Sequence, residues 1–198
     1  MSKAERMKKI ADEVIVCVEC PLWKTRKNAV PGESNVNASV FFVGEAPGYW
    51  EDRRGRPFVG AAGNILNAFL EKIELPRENV FITSVVKCRP PENREPRQDE
   101  IKTCTSLYLN RQIKIVKPKI IATLGRFSTH YILSKAGFEA EVHDSITQLH
   151  GKVLQAKLFG LSVSVVPMFH PASVLHNPRY REKLEGDFEV LRNQLKVQ

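Results

Sequence analysis

The chain has 198 residues, 42% of them hydrophobic, which is enough apolar content to bury the core of one compact domain over 1–198 and excludes a disordered polypeptide. Thirty Lys and Arg against 22 Asp and Glu leave a formal charge of +8, a balance that favours a polyanionic partner, nucleic acid first. Residues 1–10 carry Lys3, Arg6, Lys8 and Lys9 without an apolar run, so neither a signal peptide nor a membrane span is expected, and the protein is placed in the cytoplasm, near the nucleoid if DNA is its partner.

In chain order, Cys17 and Cys20 come first, in a polar turn closed by Pro21. Four β-branched, apolar runs follow, at 39–43, 80–86, 120–124 and 163–168, and each reads as a buried parallel strand. Helical periodicity fills the gaps. Leu66, Phe69, Leu70 and Ile73 share one face before Pro76 stops that helix. Ile101, Cys104 and Tyr108 line the next, residues 131–133 sit in a short helix after Gly125, and Tyr180, Leu184, Phe188, Leu191 and Leu195 form the stripe of the last. This alternation predicts an α/β fold, a three-layer domain with a four-stranded parallel sheet flanked by helices. The Pro-rich, charged stretch 89–97 is a loop. Residues 142–160 hold an alternating run, 152–158, bounded by Gly151 and Gly160, and read as a hairpin appended to the sheet.

Cys17, Cys20, Cys88 and Cys104 are all the cysteines of the chain. In a reducing compartment thiols at such spacing point to a metal centre more than to disulfides. Cys88 leaves the second strand and Cys104 lies on the inward face of its helix, so both can meet the first pair. Four thiolates suit structural zinc or a four-iron cluster, and spacing does not choose between them; four free buried cysteines is the plainer alternative. A centre here would staple the N-terminal segment to the loop after the second strand.

Two short motifs each follow an apolar run: Gly44-Glu45-Ala46-Pro47-Gly48 and His170-Pro171-Ala172-Ser173. The carboxyl ends of parallel strands are where open α/β sheets bind ligands. Glycines let a ligand approach backbone N–H groups, Pro47 stiffens the turn, and Glu45 and His170 bring a carboxylate and an imidazole to one edge of the sheet. Taken singly, each is an ordinary loop.

Taken together, the motifs resemble the family 4 uracil-DNA glycosylases, the iron–sulfur type. The resemblance runs through Cys17 and Cys20, Gly44-Glu45-Ala46-Pro47-Gly48 with Glu51-Asp52, and Arg56-Pro57-Phe58-Val59-Gly60. It continues through Val85-Val86-Lys87-Cys88-Arg89-Pro90-Pro91 with Asn93-Arg94, Cys104, and His170-Pro171-Ala172 with Asn177-Pro178. It implies a [4Fe-4S] cluster on the four cysteines, with zinc as the alternative, and hydrolysis of the N-glycosidic bond of deoxyuridine in DNA without a metal in the chemistry.

The same resemblance implies a division of labour. Phe58 stacks on uracil, Gly44, Ala46 and Ser84 contact it, and His170 donates a hydrogen bond to its O2 as the base departs. Glu45 and Glu51 jointly serve the sugar cation and the attacking water, although Glu51 is otherwise a solvated carboxylate beside Asp52. Val174 and Leu175 are candidates for the wedge that fills the vacated stack, Leu175 having a packing role as its alternative, and Arg89 and Arg94 are expected on the DNA backbone. Two departures stand out. Ala46 replaces the Asp of other uracil-DNA glycosylases, and Ser84 replaces an Asn that reads the uracil edge with a paired donor and acceptor. The protein is expected to act as a monomer on uracil-containing DNA. A non-catalytic iron–sulfur nucleic-acid-binding protein and an electron carrier are the rival classes.

Overall fold

Phe41 and Phe42 are neighbours in sequence and enter different cores, because successive side chains of a strand point to opposite faces of the sheet. Both are fully buried, the mark of a strand covered on its two sides. In the computed structural model, which describes residues 1–197, this strand is β2 (Val40–Gly44), after a two-residue β1 (Glu33–Ser34). The others are β3 (Phe81–Ser84), β4 (Ile120–Leu124), β5 (Leu154–Leu158) and β6 (Leu161–Met168). The sheet order is β1-β3-β2-β4-β6-β5.

The four expected strands form the parallel centre, β3-β2-β4-β6. Two antiparallel edge strands extend it to six. β1 pairs with β3, and it is too short to leave a pattern in sequence. β5 pairs with β6, not with a partner inside 142–160, so the expected appended hairpin is instead the outer edge of the main sheet. Its turn is Phe159-Gly160, both at positive φ (53° and 81°), the backbone a two-residue hairpin turn needs. Earlier in that segment, residues 146–149 are helical.

One face of the sheet is covered by α1 (Lys3–Val16), by α6 (Arg126–Lys135), and by the continuous helical stretch of α4 (Gln98–Cys104), a π-turn (Thr105–Leu109) and α5 (Asn110–Val116). The other is covered by α3 (Ala61–Lys72) and α9 (Tyr180–Val197), whose Leu66, Phe69, Leu184 and Phe188 pack on Val40, Phe42 and Ile82. Phe69 and Phe188 stack at 5.1 Å between ring centroids. Short helices complete the chain: α2 (Tyr49–Arg54), α7 (Ile146–Leu149) and α8 (Ser173–His176). Among the described residues no helix is long and apolar enough to cross a membrane.

Candidate active site

Gly44 and Ser84 are register partners at the carboxyl ends of β2 and β3, and His170 follows β6 by one residue beyond Phe169. These strand ends open on a cavity of about 480 Å³ walled by Glu45, Glu51, Phe58, Ser84, Arg94 and His170. That volume lies in the usual range for a small-molecule site, roughly 300–1,000 Å³.

Phe58 is held from several directions. Its backbone is left-handed (φ 49°), a conformation rare for a bulky residue and kept only where the surroundings impose it. Arg77 donates from Nη1 to the Phe58 carbonyl (3.1 Å) and from Nη2 to that of Pro57, while also binding Asn67 and Glu33. The ring packs on Gly44, where a Cβ would stand 2.8 Å from it, and faces the His170 ring at 5.7 Å between centroids, tilted 31°. An aromatic plane thus forms one wall of the cavity.

His170 has a defined tautomer. The Ala172 backbone N–H donates to its Nδ1 at 3.1 Å, so Nδ1 is the acceptor and the proton of a neutral ring sits on Nε2. Burial pushes the imidazole down to about 4, with the Glu51 carboxylate pulling the other way, so the ring is neutral at physiological pH. Gly125, at φ 90°, lets the loop close over it: a Cβ there would meet the His170 Cβ at 3.2 Å.

The two carboxylates differ. Oε1 of Glu51 accepts the N–H groups of Val59 and Gly60, both at 2.9 Å, at the entry to α3. The Glu45 carboxylate, by contrast, is held by no donor among the described residues, and it faces the cavity half-buried. Burial, reinforced by Glu95 and opposed by Arg126, raises its carboxyl to about 6.

A neutral imidazole donor, an aromatic wall, a hydroxyl and a free carboxylate around one base-sized cavity suit the removal of a planar leaving group. Residues 31–196 match the model of the uracil DNA glycosylase superfamily. Over 189 residues the chain is 53% identical to the type-4 uracil-DNA glycosylase of Sulfurisphaera tokodaii, covering 95% of this chain and 84% of that one. It is 50% identical to the type-4 enzyme of Saccharolobus solfataricus (94% and 85% covered) and 44% identical to that of Archaeoglobus fulgidus (94% and 92%). The chain belongs to the type-4 uracil-DNA glycosylase family.

In this type-4 uracil-DNA glycosylase fold, Cys17, Cys20, Cys88 and Cys104 open on one apolar-walled cavity between α1, the end of β3 and the α4–π-turn junction. Their thiols are not drawn together: among the described residues no three His, Cys, Asp or Glu side chains stand close enough to hold a single ion. The donor set fits a thiolate-bound group. Arg26 donates to the Cys88 sulfur at 3.1 Å and the Lys87 backbone N–H to that of Cys104 at 3.3 Å, contacts that favour sulfur anions. Burial lifts Cys104 to about 12, and a cation bound there would deprotonate it.

The residues expected on DNA divide. Leu175 is 53% exposed whereas Val174, at 9%, is packed in the core beside α9, so of the two expected wedge candidates only Leu175 meets solvent. Arg94, which lines the cavity, is tied to the buried carboxylate of Glu100 by two hydrogen bonds (2.9 and 2.6 Å), whereas Arg89 donates its Nε to Asn93 (2.7 Å) and forms no ion pair among the described residues. Three residues near the site carry no mark in the sequence. His176 and Ala62 line the cavity, and Arg77 braces its aromatic wall. Arg77 lies in a charged turn after Pro76 that looks like solvated surface, and its partner Glu33 is far away in the chain, so no local spacing marks either.

Proposed function

We propose that the chain extrudes deoxyuridine from DNA into the cavity at the ends of β2, β3 and β6 and hydrolyses its N-glycosidic bond, releasing uracil and leaving an abasic site. Family membership supports the activity, and the convergence of Phe58, Ser84 and a neutral His170 with its proton on Nε2 carries the assignment of roles. Extrusion costs a few kcal/mol, offset by stacking on Phe58 and by contacts to the base edge. Ser84 offers one hydroxyl to that edge, so the backbone of residues 44–46 supplies the rest of the readout.

As the C1′–N1 bond breaks, its electron pair moves into the uracil ring and charge grows on O2. The Nε2–H of His170 donates to that oxygen. With a depressed pKa the imidazole stays a hydrogen-bond donor and transfers no proton. The deoxyribose becomes an oxocarbenium-like cation. Glu45, free of other partners, stabilises it, orients the water that attacks C1′ and takes that water's proton. Glu51 holds the 59–60 backbone and, through it, the Phe58 loop, and its charge adds to the field at the sugar.

The four cysteines are the residues that would hold a [4Fe-4S] cluster. Bound there, it supplies a cross-link among α1, the end of β3 and α4. All four line one apolar-walled cavity, so one thiolate-bound group can reach them together, with zinc as the alternative to the cluster.

The test is a single-stranded oligonucleotide with one deoxyuridine, incubated with the protein and then treated with alkali. Strand scission at the uridine and release of free uracil are expected, with His170→Ala slowing release by about 10²–10³-fold. Binding without scission would instead make the chain a nucleic-acid-binding protein and sink the reading.

A further inference from the structure

The rim of the cavity carries a feature that the chemistry above does not use. Tyr49 and Trp50 stand side by side on α2 and are 43% and 50% exposed, although their flanking residues Gly48 and Glu51 line the cavity itself. Their rings meet edge to face at 5.1 Å. Three guanidinium groups gather on them. Arg53 lies over the Tyr49 ring at 4.8 Å, Arg89 reaches the same ring at 5.2 Å from the loop after β3, and Arg54 lies over Trp50 at 5.6 Å. Among the described residues none of the three is in an ion pair with a carboxylate, whereas Arg56, Arg77, Arg94, Arg111 and Arg126 all are.

Two adjacent aromatic side chains half in water, with three guanidinium groups held on them at the mouth of a ligand cavity, make a surface that is both flat and cationic, the chemistry that takes a flat, anionic ligand. Trp50 is also oriented: a Cβ on Gly60 would stand 3.3 Å from its Cδ1, so its inner edge rests on the backbone that follows the Phe58 loop, while Arg54 lies over the ring and half of its surface stays exposed. The patch is continuous with the cavity on two sides, through Gly48 and Glu51 beside it and through Pro90 next to Arg89.

We propose that this patch is a landing platform for the single-stranded DNA immediately next to the extruded uridine, with Trp50 stacking on a flanking base and Arg53, Arg54 and Arg89 taking the phosphates. The proposal rests on the function above, and it deepens that reading by assigning a second, sequence-tolerant subsite. Tyr49 is the peg that aligns Arg53 and Arg89. Stacking on an aromatic side chain accepts any base, and guanidinium groups fanned beside it match successive phosphates. A single strand fits better than a duplex, because a paired base offers no free face to Trp50.

The experiment is a ladder of single-stranded oligonucleotides with one deoxyuridine, lengthened one nucleotide at a time on its 5′ or its 3′ side. For the wild-type protein kcat/KM is expected to step up about tenfold when the nucleotide that reaches Trp50 is added, on one side only. Putting an abasic analogue at that position should remove the step. Trp50→Ala should abolish the step while preserving activity on the shortest substrate and inhibition by free uracil, and Trp50→Phe should retain it. Arg53→Ala with Arg54→Ala should flatten the salt dependence of binding by about 0.7 in log–log slope for each phosphate no longer neutralised. Two results would overturn the platform: a Trp50→Ala protein that keeps the step, or one that loses the shortest substrate and uracil inhibition equally, which would make Trp50 a brace for the Phe58 loop. A wild-type protein that releases uracil from no member of the ladder would overturn the functional reading and the platform with it.

Discussion

A methyl group on Gly63 would stand 2.0 Å from the carbonyl oxygen of Phe58, and one on Gly44 would stand 2.8 Å from its ring. Neither position tolerates a Cβ unless the aromatic wall moves. Gly44→Ala is therefore expected to weaken inhibition by free uracil about tenfold or more, at little cost in melting temperature, since the ring can swing into the cavity. The titrating residues make a second prediction. Glu45 must be ionised to act and its carboxyl is raised to about 6, so activity should climb with pH through about 6, and Glu45→Gln should remove that limb along with most of the rate. His170, lowered to about 4, adds no limb in that window. For stability the signs differ. The folded state binds the Glu45 proton more tightly than the unfolded chain, so this contribution favours folding at low pH and is lost as pH rises through about 6. The unfolded chain protonates His170 more readily, so that contribution falls away as pH drops from 6.5 toward about 4.

At the scale of elements, the site is a set of strand ends joined to short, braced loops. Arg77 joins the 57–58 backbone to Glu33 of β1 and Asn67 of α3. Lys cannot copy five donors in a planar fork, so Arg77→Lys should weaken uracil inhibition while kcat on a saturating substrate changes less; equal loss of both would mean a general folding defect. On the opposite side, Asp187 of α9 accepts the Phe169 N–H at 2.9 Å and His150 Nδ1 lies 2.7 Å from its other oxygen, which anchors the residue just before His170. The helix after that loop, α8, presents Leu175 to solvent. If Leu175 fills the gap left by the everted base, Leu175→Ala should cost about tenfold on duplex DNA and little on a single strand, where no stack has to be opened.

At the scale of the molecule, several hydrogen bonds tie the cysteine-bearing regions to the catalytic body. Asp52 of α2 accepts the backbone N–H of Lys27 at 2.8 Å and lies directly after Glu51 in the site. The buried Lys87, beside the cysteine cavity, donates to the carbonyl of Ser84 at 2.7 Å. If the four cysteines hold the proposed cluster, its loss should loosen α1 first and the loops around the cavity second. Cys88→Ser is expected to bleach the visible absorption of the purified protein and to lower its melting temperature by about 10 °C or more. An unchanged melting temperature would show that the cysteines do not hold a structural group.

Much of this architecture is local and legible in sequence. Each central strand is an apolar run with β-branched residues because it is covered on both faces, and β4 has the bounds expected of it, 120–124. The helices α3 and α9 declare themselves by a stripe at the 3.6-residue period, and the loop motifs follow directly from the strand ends that hold them. The edges are harder: a two-residue β1 carries no period, and β5 takes its partner from the next strand in place of its own segment. Residue types and their order thus determined the family, the parallel sheet and the identity of the groups at its edge. Tertiary structure alone decided how those groups divide their work. Which carboxylate is free, which ring nitrogen carries the proton, which of Val174 and Leu175 meets solvent, and that Arg77 braces Phe58 all depend on partners distant in the chain. Burial and hydrogen bonding are properties of surroundings that no stretch of sequence contains by itself.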